Sequence, residues 1–187
     1  YNFTEMTRNI GTFTAAGTDL ETSVKAIQGI ANLAAVSGST SQQASTAMYQ
    51  LSQALASGTV KLMDWNSVVN AGMGGQVFQD ALKETARVHG IAIDEIIKKN
   101  GSFRDSLHEE WLTADILNET LEKFTLTTEG LTDAQIEQNR QMLKSKGYTD
   151  EQIEGIFELG EMATNAATKV KTFTQLWDTL KESAQSG

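Results

Sequence analysis

Apolar residues recur along most of the chain with the spacing of an α-helix. The first such stretch, residues 20–36, places five of them on one face: Leu20, Val24, Ile27, Ala31 and Ala34. This period predicts an amphipathic helix. Thr18 and Glu21 have the spacing of a capping box at its start, and Gly38 predicts its end.

The next stretch, residues 41–57, repeats the pattern and ends at Gly58. Its predicted inward face consists of Ala44, Ala47, Met48, Leu51, Ala54 and Leu55. The loop before it, residues 37–40, is short, and short connections join antiparallel neighbours. The two stretches therefore predict an αα-hairpin.

Three shorter helices are predicted between residues 59 and 99. The first carries Val60, Leu62, Trp65, Val68 and Val69 and ends at Ala71-Gly72-Met73-Gly74-Gly75. The second covers residues 76–89, with Val77, Phe78, Ala81, Leu82 and Val88 facing inward. The third covers residues 93–99.

Explicit capping signals mark the second half of the chain. Thr113 is predicted to begin one helix, and the pairs Thr132/Gln135 and Thr149/Gln152 predict capping boxes of two more. These two helices form a hairpin that turns at residues 146–148. A last helix is predicted to begin at Thr172 and to carry Phe173, Leu176, Trp177 and Leu180.

These patterns predict an all-α fold, a multi-helix array of antiparallel helical hairpins with no significant β-sheet. No stretch alternates with the period of a strand, and the chain contains no Pro, which suits uninterrupted helices. The polar run at residues 125–130 predicts two parts, a helical module at 1–125 and a C-terminal hairpin plus helix at 130–187. Because the chain begins with Tyr1, we expect it to be a segment of a longer protein.

The charge and composition exclude several classes of function. The net charge of −9 opposes binding to nucleic acid or to an anionic membrane, since both require clustered Lys and Arg. There is no Cys, so disulfides and thiolate metal sites are excluded. We also predict no membrane span and no secretory signal peptide.

The residues that could carry chemistry are better explained structurally. The chain has two histidines, His89 and His108, too few for a zinc site without Cys. The carboxylate pairs Asp94/Glu95, Glu109/Glu110 and Glu158/Glu161 lie in polar helical stretches and are interpreted as solvated. The glycine run at residues 72–75 lacks the Lys-Ser/Thr of a phosphate-binding loop. We therefore predict no catalytic, cofactor or metal site, and no enzyme.

Large apolar side chains are the remaining candidates for function. Six are predicted as core or interaction anchors: Trp65, Phe78, Phe103, Trp111, Leu117 and Trp177. Because each lies among apolar residues at helical spacing, we interpret them as core anchors in preference to binding hot spots.

Three stretches, in this order, carry a resemblance to a known family. They are LSQALASG (51–58) continuing to KLMDWNSV (61–68), NGSFRDSL (100–107) followed by Trp111-Leu112-Thr113 with Leu117 and Leu121, and KVKTFTQLWDTL (169–180). From about Ala26 onward the chain resembles the N-terminal region of phage and prophage tail tape measure proteins. The resemblance carries over no catalytic residue.

The resemblance implies a structural role in tail length determination, tail tube assembly and genome ejection. It implies tail tube subunits, tail-tip proteins and tail assembly chaperones as partners, with self-association left open. It also implies a place in the lumen of the virion tail, after assembly in the bacterial host cytoplasm.

Two other functions stay open, a generic α-helical interaction or adaptor module and a virion-associated cell-wall hydrolase module. The predicted helices stop and restart every 10–18 residues, whereas a simple ruler would be one long helix rising about 1.5 Å per residue. We therefore hypothesise a compact helical module, which a single helix spanning residues 20–120 would contradict.

Overall fold

The computed structural model describes the backbone of residues 11, 13–15 and 19–186, and the side chains of these residues up to 169. Within them, the α-helices are α1 Leu20–Ser37, α2 Ser41–Ser57, α3 Leu62–Asn70, α4 Gln76–Val88, α5 Ile93–Asn100, α6 Phe103–Ser106, α7 Ala114–Lys123, α8 Asp133–Lys146 and α9 Asp150–Ser186. A 3-10 turn, Leu107–Glu109, follows α6. This part of the chain has no strand and one isolated antiparallel bridge, between Thr59 and Thr113. The all-α prediction is confirmed.

Local capping defines the α1–α2 hairpin. Gly38 and Gly58 end α1 and α2 in the left-handed conformation, as predicted. Thr40 forms a capping box with Gln43 at the start of α2. The predicted cap of α1 is wrong, because Asp19 is its N-cap and accepts a hydrogen bond from the Thr22 N–H at 2.9 Å. Thr18 lies outside the described residues. An Asp carboxylate at this position satisfies a free helix N–H as well as a Thr hydroxyl does.

The inward face of α1 differs from the predicted stripe. Leu20 and Val24 are exposed, whereas almost every residue from Ala26 to Ala34 is buried. The centre of α1 is covered by α7 and α9 as well as by its hairpin partner α2, so more than one side of this helix is buried. Val77, also predicted to face inward, is exposed in α4.

The main core lies beneath α1–α7 and contains most of the aromatic side chains that the structure describes. Trp65 contacts Phe103 and Phe78, with ring centroids 4.8 and 5.8 Å apart. Phe103 in turn meets Trp111 at 5.6 Å, and Phe78 meets Phe124 at 6.2 Å. Between residues 20 and 123, the chain therefore consists of separate helices packed around one core and not of one long helix.

A second, smaller core holds the α8–α9 hairpin. It is formed by Leu143, Tyr148, Ile153, Ile156 and Phe157, against which Val88, Leu126 and Met142 pack. The hairpin turns at Gly147, in the left-handed conformation, as predicted. Further along α9, Ala163 belongs to the main core. The division of the chain into parts at 1–125 and 130–187 stays a prediction.

The helix α9 is longer than predicted. It runs without interruption from Asp150 to Ser186, so the prediction that Thr172 begins a new helix is wrong. Between Gly160 and Ser186 the sequence contains neither Gly nor Pro. Because neither residue interrupts the helix, it continues through Thr172. The backbone of Trp177 belongs to α9, and its side chain lies outside the described residues.

Candidate functional site

A polar cleft of about 830 Å³ lies beside the α8–α9 turn. It lies between the start of α1, the end of α4, one face of α7 and the end of α8. Most of its lining is charged or polar: Asp19, Glu21, Thr22, Lys25, Leu55, His89, Ala114, Asp115, Asn118, Glu119, Glu122 and Lys146. The Oδ1 atom of Asn118 is buried and has no hydrogen-bond donor among the described residues.

Glu119, on α7, connects three other parts of the fold. Its Oε2 atom lies 3.1 Å from Nε2 of His89 at the end of α4, and it accepts a hydrogen bond from the Tyr148 hydroxyl at 2.9 Å. Its Oε1 atom lies 3.3 Å from Nζ of Lys146 at the end of α8. Glu119 therefore ties the α8–α9 turn to α4 and α7.

The pKa of Glu119 follows from these contacts. Burial raises the pKa of this carboxyl, but the hydrogen bond from Tyr148 and the positive charges of Lys146 and His89 outweigh burial and lower it. Burial of the Tyr148 hydroxyl raises its pKa, and the negative charge of Glu119 raises it further. The hydroxyl therefore stays protonated and donates the hydrogen bond. Glu119 is therefore an ionised acceptor at neutral pH.

A buried ion pair lies next to this junction. Nζ of Lys123, whose side chain is 2% exposed, lies 2.9 Å from Oε1 of Glu84 on α4. The same ammonium lies 4.6 Å from the centroid of the Tyr148 ring, a cation–π geometry. Burial lowers the pKa of Lys123, and Glu84 opposes that shift. α4, α7 and the turn before α9 thus meet at one set of charged and aromatic side chains.

The contacts of Glu119 hold helices together and do not suit it to proton transfer. A general acid needs a pKa near the working pH, whereas the pKa of Glu119 is lowered and its two oxygens are engaged by three side chains. Among the described residues, no cluster of His, Asp and Glu could hold a metal ion.

We expect Glu119→Gln to lower the free energy of unfolding by about 1–2 kcal/mol at pH 7, because it removes a partly buried charge that three donors share. The folded-state pKa of Glu119 lies below its unfolded value of 4.5. Its contribution is therefore complete above pH 4.5 and disappears as the pH falls through the folded-state pKa. Urea unfolding of both proteins from pH 7 to pH 3 should show curves that converge at low pH.

Glu122→Gln is the matched control for that measurement. Glu122 lies on the same helix and in the same cleft, but its described ion pair, with Lys25 at 3.5 Å, is partly exposed. Its replacement should change the free energy of unfolding by less than about 0.5 kcal/mol. Equal losses in the two variants would show that Glu119 has no special role at this junction.

The carboxylate pairs considered from the sequence occupy separate surface positions. Asp94 pairs with Arg87 through hydrogen bonds of 2.7 and 3.1 Å, and that side-chain hydrogen bond lowers the pKa of Asp94. Glu109 accepts a hydrogen bond from Asn100 and lies 3.8 Å from Lys99. Glu158 and Glu161 lie one turn apart on α9. None of these carboxylates lines the cleft.

The glycine run at residues 72–75 forms a turn between α3 and α4. Met73 within it is fully buried, and the Ser39 hydroxyl donates a 2.6 Å hydrogen bond to the Ala71 carbonyl. A Cβ atom on Gly74 would lie 2.6 Å from a methyl group of Val69. The glycines therefore let the chain fold back on α3. They form a turn between two helices and not a phosphate-binding loop.

The structure places five of the six predicted anchors inside the protein and away from the cleft, and the side chain of the sixth, Trp177, lies outside the described residues. Trp65, Phe78, Phe103, Trp111 and Leu117 are all buried in the main core. Trp111 also donates from Nε1 to the Ser106 hydroxyl at 3.0 Å.

The roles of Glu119, Lys123 and Tyr148 at this junction were not predicted from the sequence. A weak signal existed for one of them, because Lys123 follows Thr120 and Leu121 on the buried face of α7.

Comparison with known proteins gives one finding. A family model described as "Tape measure protein" matches residues 1–146. Of the three stretches singled out in the sequence, the first two lie within the match and the third, residues 169–180, lies beyond it. No curated protein and no solved structure matches the chain.

Proposed function

This chain belongs to the tape measure protein family, and we propose that it serves the phage tail as a folded module and not as a length-setting rod. The family is structural, and the chain is a segment of a phage tail tape measure protein. The finer roles in tail length determination, tube assembly and genome ejection are part of this proposal.

The observation that carries the proposal is the folding back of the chain between residues 20 and 123. Seven α-helices there, none longer than α1 with its 18 residues, pack around one core. An extended ruler would present a continuous helix, of which α9 with 37 residues is the one long example in the described residues. We propose that the module serves initiation, chaperone recognition or attachment.

The proposed partners follow from membership of the family. They are tail tube subunits, tail-tip proteins and tail assembly chaperones, met in the host cytoplasm during assembly and in the lumen of the tail tube afterwards. In the described residues, no helix is both long and apolar enough to cross a membrane. We propose no enzymatic role, which is supported by the engagement of Glu119 and by the separation of the other carboxylates.

Removal of residues 19–125, in frame, from the intact gene tests the proposal. If this stretch acted as an extended helix, tails would shorten by about 160 Å at about 1.5 Å per residue. We expect no such shortening: tails should be absent or of normal length when measured by electron microscopy. Proportional shortening would contradict the proposal.

A point variant distinguishes loss of the module from a general effect of the deletion. Gly160→Ala in the full-length protein should disturb the packing of the module without removing any length, because a Cβ atom there would clash with the Leu126 backbone. We expect fewer tails, all of normal length. Gly155→Ala, on the same helix, should give normal numbers of normal tails.

A further inference from the structure

All of α2 and most of α1 lie in a stretch of chain without charge. No Asp, Glu, Lys, Arg or His occurs from Ala26 to Val60, although 21% of the whole chain is charged. The net charge of −9 therefore lies entirely outside this stretch. A solvated surface of a small domain ordinarily mixes in about 25–35% charged residues, so an uncharged surface here calls for a physical reason.

Five exposed residues of α2 form one stripe. Gln42, Thr46, Tyr49, Gln53 and Ala56 are exposed and alternate by four and three residues, the spacing of a seam between paired helices. They lie opposite the buried face of α2. Tyr49, at the middle of this α2 stripe, is 51% exposed.

The surface beside the α2 stripe is uncharged as well. A groove of about 320 Å³ lies between the first half of α2 and the end of α3. Its lining consists of hydroxyl, amide and apolar groups: Thr40, Gln42, Gln43, Thr46, Ser67, Asn70 and Ala71. The uncharged surface is therefore wider than a single helix face.

We propose that the α2 stripe is an interface on which two copies of this chain pair, antiparallel, about a two-fold axis at Tyr49. The stripe is nearly symmetric about Tyr49: antiparallel pairing brings Gln42 opposite Ala56 of the second copy, and Thr46, three residues before Tyr49, close to Gln53, four residues after it. A two-fold interface uses the same patch on both copies, which such a stripe satisfies.

Charge explains why the occupant is a second copy. Two identical molecules, each with a net charge of −9, repel one another wherever acidic surfaces face. On the uncharged α2 stripe they meet without placing like charges together or removing charges from water. Depletion of charged residues with an exposed Tyr at the centre is also the composition of protein interfaces.

The size of the stripe makes the pairing weak and gives it a characteristic salt dependence. A helix of 17 residues is about 25 Å long, and one such face falls below the ~1,200 Å² of a stable complex. Salt screens the repulsion between the acidic surfaces that the two copies carry outside the α2 stripe. It leaves the uncharged interface itself unchanged. Association should therefore strengthen as ionic strength rises.

Single-cysteine variants test the proposal directly, because the 187-residue chain has no Cys of its own. In Tyr49→Cys the two thiols would meet at the axis. Met63→Cys is the control, since Met63 is 76% exposed on α3 and lies off the stripe. Under mild oxidation we expect Tyr49→Cys to form disulfide-linked dimers at least about tenfold faster than Met63→Cys, because pairing raises the local thiol concentration. High salt should widen the difference. Equal rates would overturn the proposal.

Sedimentation velocity provides an independent measurement without crosslinking. The unmodified chain should show an average mass that increases with concentration, more strongly in high salt. Tyr49→Glu should abolish the increase by placing two like charges at the axis, whereas Met63→Glu should retain it. Unchanged circular dichroism would show that both variants fold. A monomer at every concentration, or equal behaviour of the two variants, would overturn the proposal.

Discussion

Gly160→Ala is expected to lower the free energy of unfolding by about 3 kcal/mol. This is the opposite of the usual effect, since Ala is ordinarily more favourable than Gly inside a helix. Gly160 lies in α9 where this helix crosses the segment that follows α7. A Cβ atom added there would lie 1.7 Å from the carbonyl oxygen of Leu126 and 3.0 Å from its backbone nitrogen. Because the obstacle is backbone, no side-chain rotation relieves the clash, and α9 must move away from both cores.

Gly155→Ala supplies the matched comparison. Gly155 lies five residues earlier in the same helix, is exposed, and a Cβ atom there meets nothing within 4 Å. The substitution should stabilise the chain by about 0.5–1 kcal/mol through helix propensity. Thermal and urea unfolding of the two variants should therefore change in opposite directions. A stabilised Gly160→Ala variant would show that α9 does not approach Leu126 this closely.

Trp65→Ala is expected to give the largest loss of stability, about 3–5 kcal/mol. Trp65 is 2% exposed and its ring lies against those of Phe78 and Phe103. Removing it leaves a cavity that these rings cannot fill, and its tilted contacts with both rings are lost as well. Equilibrium unfolding monitored by circular dichroism measures the effect.

Met63→Ala is the control for Trp65→Ala, because Met63 lies in the first turn of the same short helix and is largely exposed. It should change the free energy of unfolding by less than about 0.5 kcal/mol. If Trp65 were instead an exposed binding anchor, its replacement would leave stability unchanged, and the interpretation of the aromatic residues as core anchors would be wrong.

Local sequence determined where most helices begin and end. Thr40 with Gln43, and Thr132 with Gln135, form the predicted capping boxes. Such hydrogen bonds join residues three positions apart, so the amino acids themselves specify them wherever the helix lies in the fold. The inward face of α2 was predicted for the same reason, because one stripe of this helix is buried and its period shows in the sequence.

Long-range packing decided what the local pattern could not. Leu20 and Val24 continue the apolar period of α1 but are exposed, because α7 and α9 cover the middle of this helix and not its beginning. Gly29 illustrates the cause: a Cβ atom there would lie 2.2 Å from the Leu121 carbonyl oxygen, and no signal near Gly29 identifies the helix that approaches it.

The polar junction depended on tertiary structure entirely. Glu119 meets His89 and Tyr148 across separations of 30 and 29 residues, and Lys123 meets Glu84 across 39. In the sequence, these are ordinary charged residues of amphipathic helices. The sequence thus determined the helices, their caps and the uncharged surface of α2, because these depend on neighbours within a few residues. The fold alone decided which helices meet and which charges are buried, because those contacts exist only after the chain has folded back on itself.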